Sequence, residues 1–133
     1  KTVYLYMSYK VLNNNEFNIF DSSQTMLFKK NQIIYKEKDL IENIFIILDG
    51  LVESSSSMFL KHKFTLHKGS SLGLVDAILG RNFSRNMKAK SMVSLAVVDK
   101  TNLKNILESD AIAGVLIKSL VIDIDNKYPY IWS

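Results

Sequence analysis

The sequence contains no cysteine, and only one proline and one tryptophan, among its 133 residues. The absence of cysteine excludes disulfides, thiolate zinc sites, cysteine-held iron–sulfur clusters and a cysteine nucleophile. Long apolar runs are also missing, because the longest, at 44–48 and 111–117, are far shorter than the roughly 20 residues that a membrane span needs. We therefore expect a cytoplasmic domain with no membrane segment.

Composition and charge are those of an ordinary globular domain. Hydrophobic residues make up 47% of the chain and charged residues 23%. The net charge of +4 is spread along the chain, which favours a solvated surface and leaves open an anionic ligand or partner. We predict one domain over residues 1–133, with 1–15 as a tag remnant or an extension.

Short apolar and alternating segments predict β-strands separated by turns. The clearest are the continuous apolar run Asn43–Leu48 and the alternating segment Phe59–His67. Further strands are expected at 26–28, 32–36, 51–53 and, as a pair, within 87–99. Ser54–Ser57 is expected to be a polar loop, and Glu16–Phe20 a short N-terminal turn or helix. The pattern favours a mainly β fold, a small antiparallel barrel or jelly roll.

Helical spacing begins at Asn102 and predicts C-terminal helices within 102–126. Asp99–Thr101 is expected to cap the first helix, and Ser109–Asp110 a second that runs from Ala111 to about Asp125. The second helix has two apolar faces, which are Ile112, Val115, Leu116, Leu120 and Ile124 on one side and Ala113, Ile117 and Val121 on the other. Such a helix packs either on its own barrel or on a second copy as a homodimer.

The segment from Gly69 to Ser91 has the features of an anion site. A short apolar turn from Leu74 to Leu79 lies between glycines, and Arg81 and Arg85 follow it in a polar loop. The start of a helix offers unpaired N–H groups, and a guanidinium offers a planar fork of donors for phosphate. The alternative, that both arginines are exposed loop charges, carries about equal weight.

Two stretches in fixed order carry a family resemblance. From Phe28 to Glu53 the chain reads F-K-K-N-Q-I-I-Y-K-E-K-D-L-I-E-N-I-F-I-I-L-D-G-L-V-E, and Gly69, Leu72-Gly73, a short helix, the arginines, a strand and a helix pair follow. This order, over about 16–125, resembles the cyclic-nucleotide-binding domain family. The resemblance implies a cyclic-nucleotide-binding-like barrel with a short N-terminal helical segment and C-terminal helices, and cAMP or cGMP as ligand.

The resemblance also implies a phosphate-binding site, although several of its residues differ from the family pattern. The candidate ligand-binding residues are Gly73, Leu74, Val75, Arg81, Ser84 and Arg85. In the family a glutamate that accepts hydrogen bonds from the ribose 2′-hydroxyl occupies the place of Leu74. Counting without gaps from Gly73 puts Phe83 at the place of the phosphate-binding arginine, so that Arg81 or Arg85 would have to serve. Asp76 lies two residues after Leu74, and its position in a short helix is expected to point its side chain away from the ribose.

Two turn glycines of the family are replaced, by Asn31 and by Lys38, and lysine tolerates a left-handed conformation less well than asparagine.

No other constellation of residues predicts catalysis. His62 and His67 are five apart and would face opposite sides of a strand, which disfavours a cupin-type metal site. Glu37, Asp39 and Glu42 form an acidic group that is best explained as a solvated loop. We therefore expect that the chain is not an enzyme.

The function expected from the resemblance is a ligand-sensing regulatory domain, of the type that forms the sensor part of a cAMP-receptor-protein-like transcription regulator. DNA would be bound only through a region outside this chain. The alternative is a degenerate barrel that binds no cyclic nucleotide and acts as a protein-interaction or dimerisation module.

Overall fold

The computed structural model describes residues 25–58 and 63–127. Within them lie eight strands and three helices: β1 (Thr25–Phe28), β2 (Ile33–Tyr35), β3 (Asn43–Asp49), β4 (Val52–Ser55), β5 (Phe64–Leu66), β6 (Ser71–Leu72), α1 (Leu74–Ile78), β7 (Asn86–Ala89), β8 (Val93–Asp99), α2 (Lys100–Glu108) and α3 (Ala111–Lys127). The N-terminal segment predicted at Glu16–Phe20 lies outside the described residues.

The strands form two antiparallel sheets that pack face to face. One has the order β1-β8-β3-β6 and the other the order β2-β7-β4-β5. Inward side chains of both sheets form the core, and Ile47, Val52, Leu72, Met87 and Leu95 are completely buried there. The mainly β, antiparallel prediction is confirmed.

Of the expected barrel or jelly roll, the barrel is wrong, because no described strand of one sheet is paired with a strand of the other. The edge strands explain this difference. β1, β2, β5 and β6 have only four, three, three and two residues, so each sheet edge offers few N–H and C=O groups for pairing across the gap between sheets. The result is a two-sheet sandwich.

Within the described residues the predicted strands lie close to their expected positions. Of the strand predicted at Phe59–His67, β5 covers Phe64–Leu66, and residues 59–62 lie outside the described residues. β3 and β8 are the longest, with seven residues each, and are paired along most of their length. No residue of β3 is exposed before Asp49, as expected for a continuous apolar run. The polar loop predicted from Ser54 begins too early, because Ser54 and Ser55 pair with β7 and Ser54 is buried.

Both predicted helix caps are confirmed. The Asp99 carboxylate accepts a hydrogen bond from the Asn102 N–H at 2.7 Å, and Asp110 Oδ1 accepts from the Ile112 and Ala113 N–H groups, each at 3.1 Å. These carboxylates pair with N–H groups that the first turn of a helix leaves free. α2 begins at Lys100, two residues before the predicted start.

The two apolar faces of α3 have different environments. Val121 is buried, and Gly114 lies so close to the Leu107 carbonyl oxygen that a Cβ atom would clash with it. On the other face Ile112, Val115, Leu116 and Leu120 are exposed within the described part of the chain, each with at least 59% of its surface accessible. The face with Ala113 and Val121 therefore packs on the domain, although its Ile117 is 40% accessible, and the other face is open among these residues except for the half-buried Ile124. None of the described helices has both the length and the apolar character needed to cross a membrane.

Candidate functional site

The candidate site is built around residues 73–85, which we call the cassette. Its entry is Gly73, whose φ of 87° lies in the left-handed region. A Cβ atom at this position would lie 2.5 Å from Cε1 of Phe83, so a side chain is excluded by both backbone conformation and space. The five-residue helix α1 and a loop complete the cassette before β7.

Asp76 is the completely buried centre of the cassette. Its Oδ2 atom accepts hydrogen bonds from the backbone N–H and the hydroxyl of Ser84, both at 2.9 Å. Its Oδ1 atom accepts from Nε of Arg81 at 2.5 Å. A buried carboxylate is stable only with such partners. The N–H and hydroxyl of Ser84 and the Nε–H of Arg81 are therefore already bound to Asp76 and are not offered to an external anion.

Arg81 joins the cassette to α3. Its Nη1 and Nη2 atoms donate to the two carboxylate oxygens of Asp125, at 3.0 and 2.7 Å. This bidentate arrangement is the strong, planar form of an arginine–carboxylate pair. The hydrogen bonds to Asp125, and then those to Asp76, raise the pKa of Arg81 further, while partial burial opposes them. Arg81 thus has two carboxylate partners of its own.

Arg85 is almost completely buried, against Ser54 of β4 and Phe64 of β5. Only 2% of its surface is accessible, its Nε donates to Ser54 Oγ at 2.5 Å, and its guanidinium lies 5.2 Å from the centre of the Phe64 ring. Such a position over the face of an aromatic ring is favourable for a cation. Burial lowers the pKa of Arg85, with Tyr35 and Glu37 opposing the shift.

Phe83 stands where the resemblance places the phosphate-binding arginine. The ring is buried and stacks on Tyr35, with 3.5 Å between centroids and 10° between planes. The Phe83 N–H donates to the Asp39 carbonyl, and the Phe83 carbonyl accepts from the Lys38 N–H at 2.6 Å. The backbone and the ring together fix Phe83 as part of the core.

The two replaced turn glycines keep a glycine-like backbone. Asn31 has a φ of 73° and Lys38 a φ of 77°, both in the left-handed region. Lys38 is held there by the hydrogen bond between its N–H and the Phe83 carbonyl. The strained turn is therefore tied to the cassette.

An open pocket of about 390 Å³ lies between the cassette, the turn after β2, the loop after β4 and α3. Arg81, Ser84 and Arg85 line it, together with Lys38 and Asp125. Among the sequence-predicted site residues, Gly73, Leu74 and Val75 do not line this pocket. Leu74 packs against the core, and Val75 is buried. The structure thus brings half of the predicted residues together at one pocket.

Glu37 closes one side of this pocket. Its carboxylate accepts hydrogen bonds from the Ser57 N–H and hydroxyl, both at 2.8 Å, and from Nδ2 of Asn86 at 3.0 Å. The backbone hydrogen bond from Ser57 is the largest of the effects that lower the pKa of Glu37 below its ordinary value of 4.5. The ionised carboxylate therefore holds the loop after β4 against β7.

Replacing Glu37 with glutamine is expected to reduce the free energy of unfolding at pH 7 by at most about 1 kcal/mol, because the group is partly exposed. A depressed pKa contributes stability above the unfolded-state pKa, and this contribution is lost as pH falls through the folded-state value. The difference between the wild type and Glu37→Gln should thus shrink when urea unfolding is measured below pH 4.5. The exposed Glu42→Gln is the control. A difference that is unchanged by acid would contradict the proposed role of the ionised carboxylate.

Two residues of the site had weak or no sequence signals. Asp76 is the only charged residue in the apolar run from Leu72 to Leu79, and an isolated acid in such a run signals a buried carboxylate with local partners. Asp125 had no signal, because it is 44 residues from Arg81.

Within the described ranges, no group of three or more histidine, aspartate and glutamate side chains could hold a metal ion.

The comparison with protein families decides the class of this fold. The model of the cyclic nucleotide-binding domain matches residues 25–110. The chain belongs to the cyclic nucleotide-binding domain family. The resemblance seen in the sequence is thereby confirmed. A search of curated proteins finds no relative.

Solved cyclic nucleotide-binding domains have the same fold. The cAMP-bound EAL enzyme Bd1971 is 26% identical, with a TM-score of 0.66 over 78% of this chain. The match covers only 29% of that enzyme. The catabolite activator protein of Thermus thermophilus is 14% identical, with a TM-score of 0.63 over 80% of this chain and 51% of its own. A cyclic nucleotide-binding protein of Geobacter metallireducens is 19% identical, with a TM-score of 0.60 over 74% of this chain and 73% of its own. These last two show the fold alone.

Proposed function

We propose that this chain is a regulatory module of the cyclic nucleotide-binding domain family that uses its own Asp76 carboxylate in place of a ligand phosphate. In this proposal the module does not take cAMP or cGMP at the cassette, catalyses no reaction and acts through protein contacts. The observation that carries the proposal is the set of three hydrogen bonds from Ser84 and Arg81 to the buried Asp76.

Charge repulsion supports this proposal. A phosphate that approached the donors of Ser84 would have to lie within about 4 Å of the Asp76 carboxylate. Two negative charges at that distance repel by about 4 kcal/mol at an effective dielectric constant of about 20. Moving Asp76 away would leave a buried carboxylate without its partners. Either route opposes binding of the anion.

The two residues that differ from the family pattern act in the same direction. Leu74 cannot accept a hydrogen bond from a ribose hydroxyl, and a buried hydroxyl without a partner costs about 1–3 kcal/mol. Phe83 supplies no cation and is stacked on Tyr35. Together with the repulsion from Asp76, the lost hydroxyl contact weakens binding by about 5–7 kcal/mol, or about four to five orders of magnitude. A micromolar ligand would thereby become undetectable at millimolar concentration.

Protein contact as the output is supported by the open face of α3. Ile112, Val115, Leu116 and Leu120 are exposed in the described part of the chain, and an exposed apolar row is typical of an interaction surface. A regulatory output through this helix needs no catalytic group.

A second candidate function is a working cyclic-nucleotide sensor. The pocket of about 390 Å³ at the cassette favours it, as does the likeness to Bd1971, which was solved with cAMP and with cGMP. For this function a ligand would have to displace Asp76 from Ser84 and draw Arg81 from Asp125.

Calorimetric titration with cAMP and cGMP separates the two functions. The proposal predicts no saturable heat up to about 1 mM nucleotide and no change in melting temperature. A ligand present at 100 times its dissociation constant would add about 2.7 kcal/mol to the stability of the folded state, and the melting temperature would rise. Bd1971 is the positive control for both nucleotides. Saturable binding that Arg81→Ala abolishes would establish the sensor and overturn the proposal.

A further inference from the structure

The C-terminal end of α3 has a charged contact with the cassette, in addition to the packing of α1 against α3. Arg81 and Asp125 are joined by two hydrogen bonds across 44 residues of sequence. Only 19% of the Asp125 side chain and 37% of the Arg81 side chain are accessible, so the pair is partly shielded from water and from salt. Among the residues after Val121, Ile122, Asp123 and Asn126 are exposed. Ile124 is half-buried, so the pair of Arg81 and Asp125 is the polar contribution to holding these last turns.

Arg81 faces Asp125 in a fixed orientation because its Nε–H, on the other side of the guanidinium, is also hydrogen-bonded. Its Nε donates to the buried Asp76, which Ser84 holds through two further hydrogen bonds. A guanidinium is planar, so fixing Nε sets the plane in which Nη1 and Nη2 present their hydrogens. Asp76 thus acts on the position of α3 indirectly, by orienting Arg81. Its own hydrogen bonds are to Arg81 and Ser84.

The earlier part of α3 is held by other means. Gly114 packs against the Leu107 carbonyl of α2, and Val121 is buried. These contacts are apolar or involve the backbone, and they do not require the cassette arginine. The first part of α3 is therefore anchored by packing, and at its C-terminal end the charged pair of Arg81 and Asp125 adds to the packing.

We propose that Asp76, Arg81 and Asp125 form an internal latch that fixes the last turns of α3 to the cassette. The latch sets the position of the helix that carries the exposed apolar row, so any group that draws Arg81 away from Asp125 would loosen this end of α3. It is a property of the chain itself and does not depend on whether a nucleotide binds.

Hydrogen exchange of the nucleotide-free chain tests the latch. We expect Asp125→Asn to speed amide exchange in residues 119–127 about fivefold, the size of effect that corresponds to losing a partly exposed ion pair. The strands of both sheets should keep their wild-type rates. Asp123→Asn is the matched control, since it removes the same charge from an exposed site on the same helix, and it should change the rates less than twofold. Equal rates for the two variants would overturn the proposal.

Two further variants test how the latch is built. Arg81→Lys keeps the charge and loses the planar fork, so it should loosen residues 119–127 as much as Asp125→Asn does. Asp76→Asn should speed exchange in the same residues, because it disturbs the orientation of Arg81. If Asp76→Asn leaves α3 at the wild-type rate, or speeds exchange in residues 119–127 no more than in the strands, the role given to Asp76 is wrong. Because no nucleotide is present, these outcomes are independent of the titration.

Discussion

Replacing Phe83 with alanine is expected to lower the free energy of unfolding by about 3–5 kcal/mol, the cost of emptying a buried aromatic site. The ring is 5% accessible and stacks on Tyr35 at 3.5 Å between centroids. It also covers Gly73, where the space for a side chain is missing because Phe83 fills it. The substitution would open a cavity between the cassette and the core.

Urea unfolding monitored by circular dichroism measures this loss. Leu40→Ala is the control, because Leu40 lies in the neighbouring turn and is 74% accessible. An exposed substitution of this kind changes stability by about 0.5 kcal/mol or less. A cost below about 1 kcal/mol for Phe83→Ala would mean that the site does not need the ring. The position of Phe83 would then be available to a ligand. The need to fill the core would no longer explain why Phe83 stands at the place of the family's phosphate-binding arginine.

Replacing Asp76 with alanine is expected to cost about 2–4 kcal/mol of unfolding free energy. The variant leaves the N–H and the hydroxyl of Ser84 without their acceptor and removes one of the two carboxylates bound to Arg81. Arg81 keeps Asp125, which limits the loss. The cost therefore lies below that of leaving a buried charge with no partner.

Asp76→Asn is the matched variant for this prediction. Asparagine has almost the same shape and keeps one oxygen acceptor, so about half of the stability should remain. Chemical denaturation of both variants at neutral pH gives the comparison. If Asp76→Asn costs almost nothing while Asp76→Ala keeps its full cost, shape and neutral hydrogen bonding rather than the negative charge would account for the effect of Asp76, and its assignment as an internal anion would be contradicted.

Local patterns predicted much of the fold. The apolar run of β3 and the carboxylates of Asp99 and Asp110 act within a few residues of their own position, and each prediction was confirmed. The positive φ values of Asn31 and Lys38 likewise follow from the turns they occupy. Such features are determined by short-range geometry, which a sequence displays directly.

Features set by distant contacts were not predictable in the same way. Whether the sheets close into a barrel depends on how edge strands of two to four residues meet. Ser54 looked like a loop residue, yet its pairing with Met87 puts it inside the sandwich beside Arg85. The pair of Arg81 and Asp125 joins two segments whose approach depends on the path of α3. Each of these three features becomes visible only in the three-dimensional fold.

The most direct test of the internal carboxylate is to follow the amide of Ser84 and the Nε–H of Arg81 by nuclear magnetic resonance during titration with cAMP, cGMP and inorganic phosphate. Both protons are hydrogen-bonded to Asp76 in the structure. If Asp76 occupies the anion position, neither resonance should move measurably as ligand is added up to about 1 mM, about a thousand times the dissociation constant of a micromolar ligand. A saturable shift of both resonances with one of the nucleotides would show that the ligand replaces Asp76, and would contradict the proposed function.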